Sequence, residues 1–315
     1  MRFLIIHNQA AGNRSNAIFE FERALLQNGD EAVMRVTDGS IRVESLLDDA
    51  GQYDAVVVSG GDGTASSALY AMRETGVPIL HFPAGTSNLL SVNLENPTES
   101  VALAKMVRER RTLSYDLGEL ELENKPDEQG RPWRTGFDII AGAGFDAAIM
   151  EQAASLKGIL GPAAYLAAAL TTPSLKVSRI TLELDGRVEE CEGTCVLLVN
   201  FGKISGQLSI TPDNDPRDGL FEVVVIKARQ TVMLLPVVIA AFMGREGELL
   251  KRSDVASIYK AREVRVAANP PLTIQYDGEP TGILTPFRAR ALPRTVNLVV
   301  SERVQEAAAR ALPQG

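Results

Sequence analysis

The residues best suited to chemistry in this 315-residue chain are glycines and carboxylates gathered on short loops. The apolar run Val56-Val57-Val58-Ser59 reads as a buried strand and leads straight into Gly60-Gly61-Asp62-Gly63-Thr64, where a helical pattern begins. Glycines let a backbone approach a phosphate closely, and a helix N-terminus offers unpaired N–H groups with a favourable dipole. Asp62 repels a phosphate, so it suits a metal ion or a polarised water nearby. The competing reading is a tight strand-to-helix turn with Thr64 as its N-cap. A second loop, Pro83-Ala84-Gly85-Thr86-Ser87-Asn88, follows the strand Val77–Phe82, and a third, Asn8–Gly12, follows the strand Arg2–His7. One such loop is weak evidence for an anion site; three at strand C-termini point to one crevice of an open α/β sheet.

The carboxylates are harder to read. Asp-Gly pairs begin at Asp38, Asp62, Asp185, Asp218 and Asp277. Asp185-Gly186 sits between two alternating runs and reads as a two-residue hairpin turn. By that internal control, Asp277-Gly278 taken alone is also a structural turn. Asp215–Leu220 (DPRDGL) reads alone as a turn between strands, since Asp-Pro and Asp-Gly both favour turns.

Strands and helices alternate in the first third of the chain. Strands are expected at Arg2–His7, Glu31–Val36, Asp54–Ser59 and Val77–Phe82, with helices over 15–28, after the loop Gly60–Gly63 through Thr75, and after an N-cap at Thr98. This alternation predicts a parallel sheet with helices on both faces. From Leu117 the pattern changes to short β runs, among them VSRITLEL, TCVLLVN, LFEVVVI, EVRVAA, LTIQY and VNLVV, and Glu123–Pro132 reads as a polar loop. Ala-rich helical material is expected over 146–170 and a further helix at Thr231–Met243. The reading is an α/β nucleotide-binding domain over 1–116 and a β-rich, sandwich-like domain over 117–300. The active site lies in a cleft between them, and a C-terminal helix over 301–315 packs back on the first domain.

Composition narrows the partners. Lys and Arg number 32 against 40 Asp and Glu, giving a net charge of −8 and no basic footprint for nucleic acid. His7 and His81 are the only histidines, which rules out a multi-histidine metal centre, and both read as packed, hydrogen-bonded side chains. Cys191 and Cys195 cannot make a disulfide framework and read as reduced core or surface residues, on one face if the strand through them is continuous. Arg108, Arg110, Arg111 and the Arg288–Arg294 group read as solvated faces rather than headgroup sites. The N-terminal apolar stretch is too short for a secretory signal. The runs Ile159–Leu170 and Val232–Met243 are shorter than the roughly 18–20 residues that span a bilayer. They read as buried helices, or as a surface that dips into a membrane to reach a lipid.

Taken together, GGDGT and the later P-x-G-T-x-N loop resemble the diacylglycerol kinase catalytic-domain family, which includes bacterial lipid kinases, sphingosine kinases and ceramide kinases. Asn8–Gly12 is similar to its N-P-x-A-G loop, with Gln9 where proline is usual, and Gly142-Ala143-Gly144-Phe145-Asp146 resembles its G-F-D element. Asn200, Gly206, Pro212 and Asp215–Leu220 resemble the stretch ending in D-G-L, and Asp277-Gly278-Glu279 resembles its late D-G-E motif. The resemblance implies an NAD-kinase- or diacylglycerol-kinase-like fold. It implies ATP on Asn8–Gly12, Thr37, Gly60, Gly61, Asp62, Gly63, Thr64, Ser66, Thr86 and Asn88. It also implies Mg²⁺ on Asp215, Asp218 and the Leu220 carbonyl, with Glu279 as proton acceptor and Asp277 beside it. Two carboxylates and a carbonyl suit Mg²⁺ chemically.

The expectation is a cytoplasmic, ATP- and Mg²⁺-dependent kinase of diacylglycerol or a similar amphipathic lipid, meeting the inner membrane surface transiently. Ser66 and Ser67 stand where the family usually has Asn and Glu, and Leu89 where many members have Asp. Two alternatives stay open: GGDGT, which NAD kinases also carry, allows an NAD-kinase-like enzyme acting on a soluble nucleotide, and these departures allow a non-catalytic nucleotide- or lipid-binding regulator. The stretch T-P-T-G-S-T-A-Y, typical of NAD kinases, has no counterpart here.

Overall fold

The computed structural model describes residues 1–12, 16–144, 176–205, 208–211, 214–227 and 256–310. Phe145 and Asp146 of the G-F-D-like element, the Ala-rich stretch 146–170, Gly206, Pro212 and the expected helix 231–243 lie outside the described residues. Two compact units emerge: Met1–Leu117 with Leu292–Gly315, and Gly118–Ala291.

The first unit holds β1 (Arg2–Asn8), α1 (Ala17–Leu25), β2 (Glu31–Thr37), β3 (Ala55–Gly60), α2 (Asp62–Met72), β4 (Pro78–Pro83), α3 (Leu89–Asn93) and α4 (Ser100–Glu109). Its strands run parallel in the order β2-β1-β3-β4. β1 and β3 are near-continuous apolar runs because helices cover both of their faces. On one face Phe3, Ile5, Val57, Leu80 and Phe82 pack against Ile18, Phe21 and Leu25 of α1 and Leu103 and Val107 of α4. The 18, 21, 25 spacing is one stripe of an α-helix, so α1 buries these three residues while its other faces meet solvent. The Phe21 ring meets that of Phe82 edge-on at 5.3 Å, and Phe21→Ala would cost about 3–5 kcal/mol. α4 is capped at Glu99 rather than Thr98, with no side-chain cap bond.

The second unit opens on β5 (Thr112–Pro126), which enters it from the first. β6 (Pro132–Phe137), β7 (Ile140–Ala143), β8 (Ser178–Leu184), β9 (Arg187–Gly193), β10 (Cys195–Val199), β11 (Lys203–Ser205) and β12 (Leu208–Ser209) follow. Then come β13 (Phe221–Ile226), β14 (Ala256–Ala261), β15 (Glu263–Asn269), β16 (Thr273–Tyr276), β17 (Glu279–Leu284) and β18 (Phe287–Val299). One sheet is antiparallel in the order β14-β13-β10-β7-β16-β17. Facing it, β8 and the start of β18 flank β15, with β9 beside β8 and β6 beside β5. Inward residues of both layers, including Leu122, Phe137, Leu182, Leu198, Val223, Val266 and Phe287, form one core.

Three expectations change. The expected loop 123–132 is mostly the end of β5 and the β5–β6 turn, because Pro126 pairs with Pro132 across the hairpin. The end of β18 pairs in parallel with β4 (Asn297 with Pro78) and belongs to the first unit, not to the expected 117–300 domain. Cys191 and Cys195 fall on separate strands, β9 and β10, so they share no continuous strand face; both are free thiols, and burial pushes that of Cys195 far up. A last helix, α5 (Glu302–Arg310), has no buried residue among those described and is held to the first unit by ion pairs of Glu302 with Arg111 and of Arg303 with Glu95.

Candidate functional site

In the first unit the chain leaves β1 for β2 on one side and β3 for β4 on the other. The C-terminal ends of β1 and β3 therefore flank the switch point where open α/β sheets bind ligands. Three loops meet there closely enough that only glycine fits. A Cβ on Gly12 would lie 2.0 Å from the Ala84 carbonyl oxygen, and one on Gly85 would lie 2.5 Å from the Gly61 Cα. Gly12 also has φ +58°, which side chains resist. Side chains complete the junction. Asn8 Nδ2 donates to Thr64 Oγ1 at 2.9 Å, Ala84 N–H donates to the Gly60 carbonyl at 3.1 Å, and Leu90 N–H reaches Asp62 Oδ1 at 3.3 Å.

α2 starts at Asp62 with Gly61 as N-cap and no side-chain capping bond. Its first-turn N–H groups thus have no partner within the helix, which suits an anion. Gly63 and Thr86 are exposed beside this end. Other expected nucleotide contacts turn out to hold the loops. Asn88, at φ +48°, accepts from Gly85 N–H and donates to its carbonyl, both at 2.8 Å. Thr37 is 3 % exposed; its hydroxyl donates to the Ile41 carbonyl and accepts from Gly39 N–H, while its carbonyl takes Gln9 N–H at 2.8 Å. Ser66 is buried on the inner face of α2.

His81, 1 % exposed, ties two of the loops together. Its Nε2 lies 3.2 Å from the Gly60 carbonyl, which can only accept, so Nε2 carries the proton and Nδ1 accepts from Ser91 Oγ at 3.0 Å. Burial lowers its pKa, against the opposing pull of Asp62, and keeps it neutral. His7, also lowered by burial, bonds Ser59 Oγ through Nδ1 at 3.0 Å. The clamp role was missed in the sequence, where no motif marks a histidine that bridges two loops.

In the second unit, strand register brings a row of polar groups to one end of the antiparallel sheet: Lys260 beside Glu222, Glu222 beside Val199, Val199 beside Ile140. Asn214 Nδ2 donates to Glu222 Oε2 (2.5 Å) and to the Asn200 carbonyl (3.0 Å), and Asn200 Nδ2 donates to the Asp138 carbonyl (2.8 Å). Asp277 closes the row. Its carboxylate accepts the N–H groups of Asp138, Ile139 and Ile140 at 2.9–3.0 Å, and its own N–H donates to Ile140 O. Asp185 does the same at the other Asp-Gly hairpin, accepting the N–H groups of Arg262 and Glu263. Both Asp-Gly pairs have positive φ at both residues, as two-residue hairpin turns require. Asp277 thus clamps the 138–140 turn, two residues from Glu279. Glu279, one residue past the turn, is exposed.

The Mg²⁺ set implied for Asp215, Asp218 and Leu220 does not fit this arrangement. Asp218 Oδ1 accepts Leu220 N–H at 3.0 Å, and Oδ2 is taken by the Lys260 ammonium at 3.0 Å. Among the described residues no three His, Cys, Asp or Glu side chains gather as metal ligands. Burial opposes the charge on Lys260, but its bonds to Asp218 and Glu222 prevail and raise its pKa; burial raises that of Glu222. Asn214, Glu222 and Lys260 escaped the sequence reading. The one available signal was Glu222, the single charge in the apolar run FEVVVI.

The arginine groups are paired. Arg265 bonds Glu123 and Glu183, Arg288 meets Glu123, Arg290 meets Glu119, and Arg108 meets Asp30. These pairs leave no bare cationic patch on the 288–290 segment.

Residues 2–120 match the family model of the diacylglycerol kinase catalytic domain, and residues 139–300 match that of the YegS C-terminal NAD kinase beta sandwich-like domain. A diacylglycerol kinase of Mycobacterium tuberculosis H37Rv is 31% identical over 231 residues, which cover 72% of this chain and 70% of the relative. One from Staphylococcus aureus MRSA252 is 24% identical over 293 residues, covering 90% and 87%. An uncharacterized Synechocystis protein is 27% identical over 282 residues, 85% of this chain; the match spans 61% of that relative's length. The fold resembles the crystal structure of a diacylglycerol kinase from Bacillus anthracis, with a TM-score of 0.67 at 17% identity, covering 96% of this chain and 98% of that one. It also resembles an NAD kinase from Archaeoglobus fulgidus, with a TM-score of 0.54 at 14% identity, covering 98% and 96%. With both domain models matched in order and a relative above 30% identity, the chain belongs to the diacylglycerol kinase family of phosphotransferases.

Proposed function

We propose that this protein transfers the γ-phosphoryl group of ATP to a hydroxyl of diacylglycerol or a similar amphipathic lipid. The observation that carries the reading is the junction of three glycine loops at Gly12, Gly61 and Gly85 around the uncapped N-terminus of α2. Phosphoryl transfer depends on positioning and charge stabilisation more than on covalent help from the protein. The loop backbone and the first turn of α2 hold the nucleotide phosphates, and Mg²⁺ arrives with ATP as its counter-ion. Glu279 takes the proton of the lipid hydroxyl as its oxygen attacks the γ-phosphorus and ADP leaves; such a base contributes about 10²–10⁴-fold. The names of the mycobacterial and staphylococcal relatives favour diacylglycerol among lipids. Among the described residues no helix is long and apolar enough to cross a membrane. In this reading the lipid is met by transient contact with a membrane surface.

The test is incubation with ATP and Mg²⁺ and a panel of diacylglycerol, monoacylglycerol, sphingosine, ceramide and NAD, with products read by mass spectrometry. Phosphorylated diacylglycerol that disappears with Glu279→Gln supports the proposal. NADP as the product would replace it with the NAD-kinase reading, and ATP binding without any product would replace it with a regulator.

A further inference from the structure

We propose that Lys260 is the built-in cation of the Asp215–Leu220 loop and fills the place where the family resemblance puts a divalent metal. Lys260 and Glu222 are register partners on antiparallel β14 and β13, so their side chains leave the same face of the sheet side by side. From there the ammonium reaches Asp218 Oδ2 at 3.0 Å and Glu222 Oε1 at 3.1 Å. Two hydrogen bonds close the loop on itself. Asp218 Oδ1 accepts Leu220 N–H at 3.0 Å, and Asp218 N–H donates to the Asp215 carbonyl at 3.3 Å. Glu222, whose side chain is 5 % exposed, also accepts from Asn214, and Asn214 Oδ1 accepts Gly202 N–H. A buried carboxylate of this kind requires a paired charge.

Mg²⁺ demands near-octahedral oxygen ligands at about 2.0–2.1 Å. To bind Asp218 it would displace Lys260, and Glu222 would lose its cation. A lysine delivered by strand register brings positive charge with no dehydration cost for a metal and no dependence on metal supply. It also leaves Asp215, which is exposed, outside the pairing. This inference concerns the loop alone and stands or falls apart from the identity of the phosphorylated substrate.

The test uses the full chain after chelation, without nucleotide or lipid, and compares thermal unfolding in EDTA and in millimolar Mg²⁺. Mn²⁺ binding is followed by electron paramagnetic resonance. The wild-type midpoint should be the same in both buffers. Lys260→Met should unfold about 3–6 °C lower in EDTA and recover most of that loss with Mg²⁺, while Lys260→Arg should stay metal-independent. Adding Asp218→Asn to Lys260→Met should abolish the Mg²⁺ response, which assigns it to this loop. If Lys260→Met does not fold, the double variant Lys260→Met/Glu222→Gln removes the buried charge together with its partner. It should bind Mn²⁺ at least about tenfold more tightly than the wild type, because Asp218 is released. A wild-type midpoint that rises with Mg²⁺ as much as the variant's, or variants whose Mg²⁺ response and Mn²⁺ affinity match the wild type, would overturn the proposal.

Discussion

Asp277 and Glu279 stand two residues apart on one hairpin, and their geometry assigns them opposite consequences on substitution. The Asp277 carboxylate accepts three backbone N–H groups at 3.0, 2.9 and 3.0 Å. A hydrogen bond to a charged group contributes about 1.5–3 kcal/mol, and three that share one carboxylate fall short of additive, so Asp277→Ala should cost about 3–5 kcal/mol. At about 2–4 °C per kcal/mol for a unit of this size, the midpoint drops by about 6–20 °C. Asp277→Asn keeps one acceptor oxygen but turns an amide against an N–H donor, and should fall between the two. Trp133, the only tryptophan, packs against the core of the same unit, so its fluorescence follows this transition directly. Glu279→Gln, at an exposed site, should leave the Trp133 transition in place while phosphoryl transfer falls about 10²–10⁴-fold. An Asp277→Ala protein that melts within a degree or so of wild type would refute the clamp.

Gly85→Ala places a Cβ 2.5 Å from the Gly61 Cα, forcing two loops apart at a cost of about 1–3 kcal/mol. Its KM for ATP should rise roughly tenfold or more while the Trp133 transition holds; an unchanged KM would detach these loops from nucleotide binding. His81 and His7 both have folded-state pKa values below the ordinary 6.5, so the unfolded chain binds protons first. Stability present above pH 6.5 is therefore lost as pH falls below it, by up to about 1.4 kcal/mol per pH unit per histidine. Urea midpoints between pH 7 and 5 measure this, and His81→Gln, which keeps a neutral donor and acceptor, should flatten the slope. An identical slope in the variant would show that His81 is not held neutral. Phe21→Ala, which opens a cavity beneath Phe82, should lower the urea midpoint of the first unit and leave the Trp133 signal unmoved.

Much of the first unit was legible because its signals are local. A strand buried on both faces must be apolar throughout, as β1 and β3 are, and a loop that touches another backbone must be glycine, as Gly12 and Gly85 are. The loops could thus be placed at strand ends from sequence alone, and the motif set identified the family. Sequence did not determine which side chains face a ligand and which hold the loops. Thr37, Ser66 and Asn88 sit within the expected nucleotide motifs, yet hydrogen bonding or burial occupies them. The two Asp-Gly hairpins illustrate the same limit: local propensity specifies the turn, but the three N–H groups that Asp277 holds belong to residues about 138 positions away. Lys260 is the extreme case. Nothing near it in the chain marks it, and only the pairing of β14 with β13 sets its ammonium between Asp218 and Glu222. A motif records residues near one another in sequence, whereas the charge balance of a site is decided by whatever the sheet register carries beside it.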